Sequence, residues 1–205
     1  MNRKEWKKRI KYRMDLSSKI THLTKGKNEN EAFNNLIKIL EEKRIEGSTR
    51  QKGFICGEIP AVCFQDIPIV FLAENLRYEE KLRRDENHKI RYLGFGLRFQ
   101  KEFIYKKGGR PVIYDATHNA KTYLLKSEWW RIVNMDLSIP NEFVDWSHER
   151  EWRIKKELTF KYSQCEVILP SYKYYKCFVK YCLQNNKENI LSHINGIITL
   201  SSIEY

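Results

Sequence analysis

The sequence predicts an α+β protein whose mixed, mainly antiparallel and split β core is flanked by helices. Stretches with the apolar–polar alternation of strands outnumber stretches with helical spacing, and the two kinds do not follow one another regularly, as they would in a doubly wound sheet. The chain has 205 residues, of which 41% are hydrophobic and 13% aromatic, so it can bury a sizeable core and is not expected to be disordered. We expect a basic arm or helix over residues 1–17 and a single domain over residues 18–205.

The most regular helical pattern lies in "NENEAFNNLIKILEEKRIEG". Its apolar residues recur three and four positions apart and would form one face: Phe33, Leu36, Ile37 and Leu40. Acidic residues near its start and basic residues near its end suit the helix dipole, and Gly47 is the expected end of the helix.

The most regular strand pattern covers residues 92–104, where apolar residues alternate strictly and two glycines occupy the opposite face. The same two periodicities predict shorter elements. The predicted strands cover residues 18–24, 60–72 with a turn at Pro68, 108–114, 165–170 and 196–200, and the predicted helices cover residues 119–133 and 172–183. Residues 77–91 are almost all polar and are expected to form a solvated helix or a loop.

The chain is strongly basic, with a formal net charge of +12. Such an excess favours an anionic partner, which is nucleic acid, a phosphorylated ligand or an acidic surface, although a merely solvated basic surface has the same composition. The arm "MNRKEWKKRIKYR" concentrates this charge, with one acidic residue among its many lysines and arginines. It would either lie on nucleic acid or form a solvated end helix. We expect nucleic acid as a partner.

The cysteines exclude two kinds of site. There are five, an odd number, and no two are spaced as C-x-x-C, so neither a disulfide framework nor a closed zinc site is expected. Reduced thiols suit a cytoplasmic protein. No apolar run approaches the length of a membrane span, so no membrane partner is expected.

Several polar residues are candidates for binding a nucleotide. His22 and Thr24 lie two apart on a predicted strand and could bond the hydroxyls of a ribose, or could be satisfied strand-end residues. Arg110 suits a bidentate phosphate contact. Tyr114 would either stack on a planar ring or be buried structurally. Asp66 precedes a proline and is more typical of a turn than of a site.

The segment "EREWRI" is the strongest candidate for chemistry. If it continues one strand, Glu149, Glu151 and Arg153 share a face. Two carboxylates that lie two residues apart on a strand repel each other unless a cation lies nearby. Arg153 is positioned to supply that cation. The pattern fits an ion-pair ladder as well as a general base beside a ribose-binding acid.

Taken together, these motifs resemble two related groups of proteins. "HLT" followed by "AFNNLIKILEEKRIEGS" resembles the first strand and helix of DarT-like and poly(ADP-ribose)-polymerase-like ADP-ribosyltransferases. The ordered set "CFQDIP", "GFGLRFQKEF", "GGRPVIY" and "EREWRI" resembles AbiGi-type abortive phage-resistance proteins and covers most of residues 20–170.

The resemblance implies an ADP-ribosyltransferase-like fold with NAD as substrate and no metal. It implies that His22 and Thr24 contact the NAD ribose and that Tyr114 stacks on nicotinamide. Glu151 would hold the ribose hydroxyl and stabilise the oxocarbenium charge, and Glu149 would activate the acceptor. Arg110 joins these residues as a candidate for binding the phosphates of NAD.

These expectations converge on an antiphage protein of abortive infection or of a toxin–antitoxin pair. It would transfer ADP-ribose from NAD to nucleic acid or another macromolecule. The alternative is a non-catalytic antitoxin or sensor that binds nucleic acid or a cognate partner protein through its basic surface. A third hypothesis is a metal-dependent nuclease that uses Asp66, Glu149 and Glu151.

Overall fold

A computed structural model describes residues 1–51, 54–86 and 92–203 of the chain. The α-helices of this part are α1 (Arg3–Lys11), α2 (Glu29–Glu42), α3 (Ile69–Glu86), α4 (Lys101–Lys106), α5 (Thr117–Tyr123), α6 (Tyr172–Gln184) and α7 (Glu188–His193). Its strands are β1 (Lys19–Leu23), β2 (Arg44–Glu46), β3 (Ala61–Gln65), β4 (Gly96–Gln100), β5 (Arg110–Pro111), β6 (Ile113–Asp115), β7 (Ile132–Asn134), β8 (Glu151–Lys155), β9 (Glu157–Thr159), β10 (Cys165–Leu169) and β11 (Ile197–Thr199).

The chain divides into two compact units, and each is built from segments that are far apart in the sequence. The first unit comprises Met1–Arg44, Ile67–Gln100 and Phe160–Tyr205. The second comprises Ile45–Asp66 and Lys101–Thr159. Because the chain leaves and re-enters each unit, neither unit corresponds to one continuous stretch of the sequence.

The strands of the first unit lie in the order β11–β10–β4–β1. β4 is antiparallel to both of its neighbours, with Phe99 opposite Ile20 of β1 and opposite Cys165 of β10. Among these four strands, β11 at the edge pairs with β10 in parallel. Gly96 is needed in this sheet, since a Cβ atom there would lie 2.3 Å from the carbonyl oxygen of His22 on β1. At Gly96 the neighbouring strand β1 therefore approaches the backbone too closely for a side chain.

Aromatic rings join the sheet of the first unit to two of its helices. Phe95, which precedes β4, lies 6.0 Å from Phe33 of α2 and 4.7 Å from Tyr174 of α6, between ring centroids. A second buried cluster joins Leu72 of α3 to Ile168 of β10. The first cluster follows the apolar faces that the helical and strand periodicities predict. The second does not, since Leu72 lies in α3, whereas the sequence predicts a strand and a turn over residues 60–72.

Helix α2 is confirmed, but its predicted end at Gly47 is wrong. The helix ends at Glu42 because Lys43 adopts the left-handed conformation, with φ of 51°, and caps it. Gly47 lies beyond β2, where a Cβ atom would meet the carbonyl oxygen of Lys156 at 2.3 Å. A glycine is needed at this position because the backbone of Lys156 packs closely against it. The sequence alone does not distinguish such a glycine from one that ends a helix.

Two further elements differ from their predicted extents. The strand predicted over 92–104 is interrupted at Gln100, since Lys101–Lys106 form α4. The helix predicted over 119–133 is split into α5 and a short 3₁₀ turn at Lys126–Arg131. Within this segment Trp130 is buried, whereas Tyr123 is 59% exposed.

The second unit contains a three-stranded antiparallel arrangement in the order β3–β8–β5. The register of β3 and β8 runs from Ala61 opposite Lys155 to Gln65 opposite Glu151. The short pairs β6–β7 and β2–β9 complete its strands in the described part of the chain. Trp130 packs with Ile55 and Ala61 to form a core.

The predicted fold class is confirmed at the level of an α+β protein with mixed, mainly antiparallel strand pairing and accompanying helices. The predicted strands near residues 18–24 and 165–170 and the helix near residues 172–183 are observed as β1, β10 and α6. Helix α3 covers residues 77–86 of the polar stretch, and residues 87–91 lie outside the described residues. In the described ranges, no helix is long and apolar enough to cross a membrane.

Candidate functional site

Five polar side chains meet inside the second unit, and we call them the carboxylate cluster: Gln65, Tyr114, Glu149, Glu151 and Arg153. Gln65 ends β3 and lies opposite Glu151, which begins β8, while Tyr114 comes from β6. The strand register thus places an amide and a carboxylate side by side at one end of a buried strand pair.

Arg153 is the buried cation of the cluster and binds one of its carboxylates. It is only 2% exposed, and its guanidinium binds the Glu151 carboxylate through two contacts, Nε to Oε1 at 2.8 Å and Nη2 to Oε2 at 3.2 Å. Its Nη1 donates to the carbonyl oxygens of Trp130 and Ile132 at 2.8 and 3.0 Å. Arg153 therefore pairs with Glu151, as strand spacing predicts, and fixes the orientation of that carboxylate.

The neighbours of Arg153 keep its guanidinium charged although the side chain is buried. Burial alone disfavours a charged guanidinium, but the negative charge of Glu151 and the contact with Cys63 leave the pKa of Arg153 above its usual value. Cys63 lies directly opposite Arg153 in the β3–β8 register. The arginine is thus a permanently charged element of the cluster.

Glu149 reaches the cluster by a different route from the one the sequence predicts. The expectation that Glu149 shares a continuous strand with Glu151 is wrong, because Ser147–Glu149 form a 3₁₀ turn and β8 begins at Glu151. Arg150 between them has φ of 46°, a left-handed conformation that is uncommon for a non-glycine residue. The Glu149 carboxylate instead accepts a hydrogen bond from the Gln65 side-chain amide.

Gln65 is the functional candidate that the sequence analysis missed. Its residue is 9% exposed, and its carbonyl oxygen Oε1 is buried without a hydrogen-bond partner in the described part of the chain. A buried acceptor of this kind is costly unless a ligand donates to it. In "CFQDIP", Gln65 is the polar residue that directly follows an apolar strand pattern, and this position at the end of a strand is the feature of the sequence that indicates it.

Asp66 forms a largely buried ion pair with Lys101. Its Oδ1 lies 2.7 Å from the Lys101 ammonium, and both side chains are largely buried. The same ammonium lies 5.8 Å from the centroid of the Trp152 ring. In the ranges that the structure describes, no group of three or more His, Cys, Asp or Glu side chains could hold a metal ion.

Tyr114 contacts the cluster through its hydroxyl oxygen, which accepts the backbone N–H of Glu151 at 2.7 Å. Burial raises the pKa of Tyr114 to about 12; the Glu151 N–H opposes this rise, and the negative charges of Glu151 and Glu149 add to it. The hydroxyl is therefore protonated at neutral pH and can donate to a ligand.

The Tyr114→Phe variant should lose an absorbance step at 295 nm whose midpoint lies near pH 12 rather than near 10. Because the folded pKa exceeds the unfolded one, the contribution of this group to stability is full below pH 10 and is lost between pH 10 and 12. The measurement is the difference between the alkaline titrations of wild type and variant. A difference step centred near pH 10 would show that Tyr114 is solvated and outside the cluster.

Arg110 is directed at its own loop. Its guanidinium lies 4.0 Å from the centroid of the Tyr105 ring and donates to the carbonyl oxygens of Tyr105 and Gly109 at 3.0 and 2.7 Å. These contacts hold the turn that precedes β5. The predicted phosphate contact of Arg110 stays a prediction.

His22 and Thr24 belong to the first unit, whereas the carboxylate cluster belongs to the second. His22 is half-buried on β1, opposite Leu97. Thr24 is 2% exposed, and its hydroxyl lies within hydrogen-bond distance of the carbonyl oxygens of Ala32 and Phe95, at 3.1 and 3.3 Å. This geometry gives Thr24 a structural role at the start of α2, and its predicted ribose contact stays a prediction.

The two carboxylates of the cluster are held in chemically different ways. Glu151 is fixed by a buried cation, while Glu149 is bonded to a neutral amide and has the imidazole Nε2 of His148 at 3.9 Å. A fixed anion suits stabilisation of positive charge, and a carboxylate bonded to a neutral amide suits acceptance of a proton. Tyr114 adds a donor and Gln65 an acceptor, so the cluster can bind polar groups while it moves a proton.

Comparisons with protein-family models, with curated proteins and with solved structures find no match to this chain.

Proposed function

We propose that this protein transfers ADP-ribose from NAD to a macromolecular acceptor, with the carboxylate cluster as the reacting centre. The observation that carries the proposal is the unequal pair of carboxylates, in which Arg153 fixes Glu151 and Gln65 bonds Glu149. The resemblance of "HLT" and "EREWRI" to ADP-ribosyltransferase motifs supports the choice of NAD.

In this proposal the bond between C1′ of the nicotinamide ribose and the pyridine nitrogen breaks, and nicotinamide leaves with the bonding electrons. Positive charge then develops on the sugar, and the carboxylate of Glu151 stabilises it while binding a ribose hydroxyl. An oxygen or nitrogen of the acceptor forms the new bond to C1′, and Glu149 takes its proton. The products are nicotinamide and the ADP-ribosylated acceptor.

The remaining residues would bind NAD without taking part in bond breaking. The half-buried ring of Tyr114 offers a surface for nicotinamide, and its hydroxyl proton suits a carbonyl oxygen. Oε1 of Gln65 suits an amide N–H or a sugar hydroxyl. Arg110 would bind phosphate after leaving the carbonyl oxygens of its loop.

The acceptor in this proposal is nucleic acid, since a net charge of +12 attracts polyanions. The activity would serve antiphage defence, either in abortive infection or beside a cognate toxin or antitoxin, in keeping with the resemblance to AbiGi-type proteins. It would act in the cytoplasm, where thiols stay reduced. The five free cysteines agree with this location.

One observation favours a second candidate, a non-catalytic antitoxin or sensor. Helix α1 carries basic residues throughout and has no buried residue, although an Asn2–Glu5 capping box fixes its start. An exposed basic helix of this kind is typical of nucleic-acid binding that needs no catalysis. Such a module would bind nucleic acid with an affinity that falls steeply with salt and survives loss of Glu151.

The proposal is tested with NAD labelled in its adenylate phosphate, incubated with single-stranded DNA, RNA or protein from a cell lysate. Wild type should attach label to a macromolecule and release nicotinamide. The Glu149→Gln variant should keep nicotinamide release by hydrolysis but lose label attachment by about a hundredfold or more, because its amide cannot take the acceptor proton. Binding without nicotinamide release by wild type would favour the non-catalytic module.

A further inference from the structure

Helix α6 has two chemically different faces. Tyr174, Phe178 and Cys182 point inward and are buried. The residues on the opposite side, which we call the outer face of α6, are Tyr172, Tyr175, Lys176, Val179, Lys180 and Leu183. Five of these, all but Tyr172, line a shallow groove of about 390 Å³ together with Gln184.

The outer face carries two parallel aromatic rings, the exposed ring of Tyr172 and the half-buried ring of Tyr175. The rings of Tyr172 and Tyr175 are stacked, with centroids 5.8 Å apart and an interplanar angle of 15°. Tyr172 is 61% exposed, and the Lys176 ammonium lies 4.7 Å from its ring centroid. Leu183, near the C-terminal end of α6, adds an apolar side chain to the outer face and is 54% exposed. Rings held parallel at a surface can stack on other planar rings.

The charge on the outer face has one sign. Between Tyr172 and Gln184 the helix has three lysines and no acidic residue. The two acidic side chains that bond α6 tyrosines, Glu29 and Glu41, do so at Tyr174 and Tyr181 on the side away from the stacked pair. A second copy of this face would therefore oppose lysines to lysines, which disfavours self-association.

We infer that the outer face of α6 binds single-stranded nucleic acid. Such ligands combine exposed planar bases with a continuous negative backbone, and surfaces that bind them interleave aromatic rings with basic side chains. The stacked Tyr172–Tyr175 pair would receive bases, and Lys176 and Lys180 would contact phosphates. A duplex hides its base faces, so it would use the lysines alone.

This inference gives the acceptor of the proposed function a place to bind, but the binding does not require catalysis. It also differs from the basic arm, because α1 offers charge without a stacked aromatic pair. The two surfaces therefore predict different ligand preferences. The arm would bind any polyanion, whereas the outer face of α6 would select single strands.

The test measures fluorescence anisotropy of a labelled twelve-nucleotide oligouridine with the intact 205-residue chain. The Tyr172→Ser/Tyr175→Ser variant should bind about tenfold more weakly or worse, since each stacked base contributes about 1–3 kcal/mol. The Lys176→Gln/Lys180→Gln variant should flatten the slope of log affinity against log salt by about 1.4. The matched control is Tyr78→Ser on α3, which removes a tyrosine of the same 61% exposure and should leave affinity unchanged.

Unchanged affinity in the folded tyrosine variant, an equal loss in Tyr78→Ser, or equal binding of duplex and single strand would each overturn the inference. So would binding of an acidic peptide or of anionic vesicles that competes fully with the oligonucleotide at lower concentration. Nicotinamide release measured on the same preparations separates the two proposals. Oligonucleotide binding without nicotinamide release would leave this surface standing while the proposed enzymatic function fails.

Discussion

Replacing Arg153 with methionine is expected to destabilise the second unit by about 3–5 kcal/mol, the cost of removing one partner from a buried ion pair. The variant leaves the Glu151 carboxylate without its cation and leaves the carbonyl oxygens of Trp130 and Ile132 without a donor. Four of the five tryptophans lie in this unit, so urea unfolding followed by tryptophan fluorescence measures the effect.

Two variants make this prediction specific. Arg131→Met removes an arginine whose ion pair with Glu128 is partly exposed, at 3.5 Å, and should cost about 1 kcal/mol or less. The double variant Arg153→Met/Glu151→Leu removes both buried charges and should recover part of the lost stability. Equal unfolding midpoints for Arg153→Met and wild type would mean that the cluster is solvated and not held by this arginine.

Replacing Glu151 with glutamine is expected to lower the rate of nicotinamide release from NAD by about a hundred- to a thousandfold, the range found when one stabilising group of a transition state is removed. The amide keeps the shape of the side chain but cannot offset positive charge on the sugar. The rate is measured with NAD labelled in the nicotinamide ring, at saturating and at limiting NAD, so that binding and catalysis are separated.

The control for this variant is Glu157→Gln, which removes an exposed carboxylate from β9 of the same unit. It should leave nicotinamide release unchanged. Circular dichroism establishes that Glu151→Gln is folded, since loss of a charge from the pair with Arg153 also affects stability. A folded Glu151→Gln protein with the wild-type rate would remove Glu151 from the reacting centre.

Local patterns predict much of this fold because they depend on neighbours in the sequence. The spacing of Leu36, Ile37 and Leu40 locates α2, and alternation up to Phe99 locates β4. The ends of these elements were predicted less well, since they depend on local backbone choices. Lys43 ends α2 in a left-handed conformation that residues other than glycine seldom adopt. The sequence pattern therefore favours Gly47 as the end of the helix.

The sequence predicts the pairing of Glu151 with Arg153 but not the arrangement of the rest of the carboxylate cluster. Strand spacing pairs Glu151 with Arg153 because both lie on β8. The position of Glu149 depends on a 3₁₀ turn and on the left-handed Arg150, which strand alternation cannot anticipate. The contact of Glu149 with Gln65 joins residues 84 positions apart, so only the β3–β8 register reveals it. Long-range pairing of this kind has no local signal in the sequence.

The central claim, that the carboxylate cluster cleaves NAD, is tested most directly by the release of labelled nicotinamide in parallel reactions of wild type and Glu151→Gln. The account predicts release by wild type that grows with time and protein concentration and falls by about a hundredfold or more in the variant. No release by wild type in the presence of DNA, RNA and lysate, or the same release by both proteins, would contradict it.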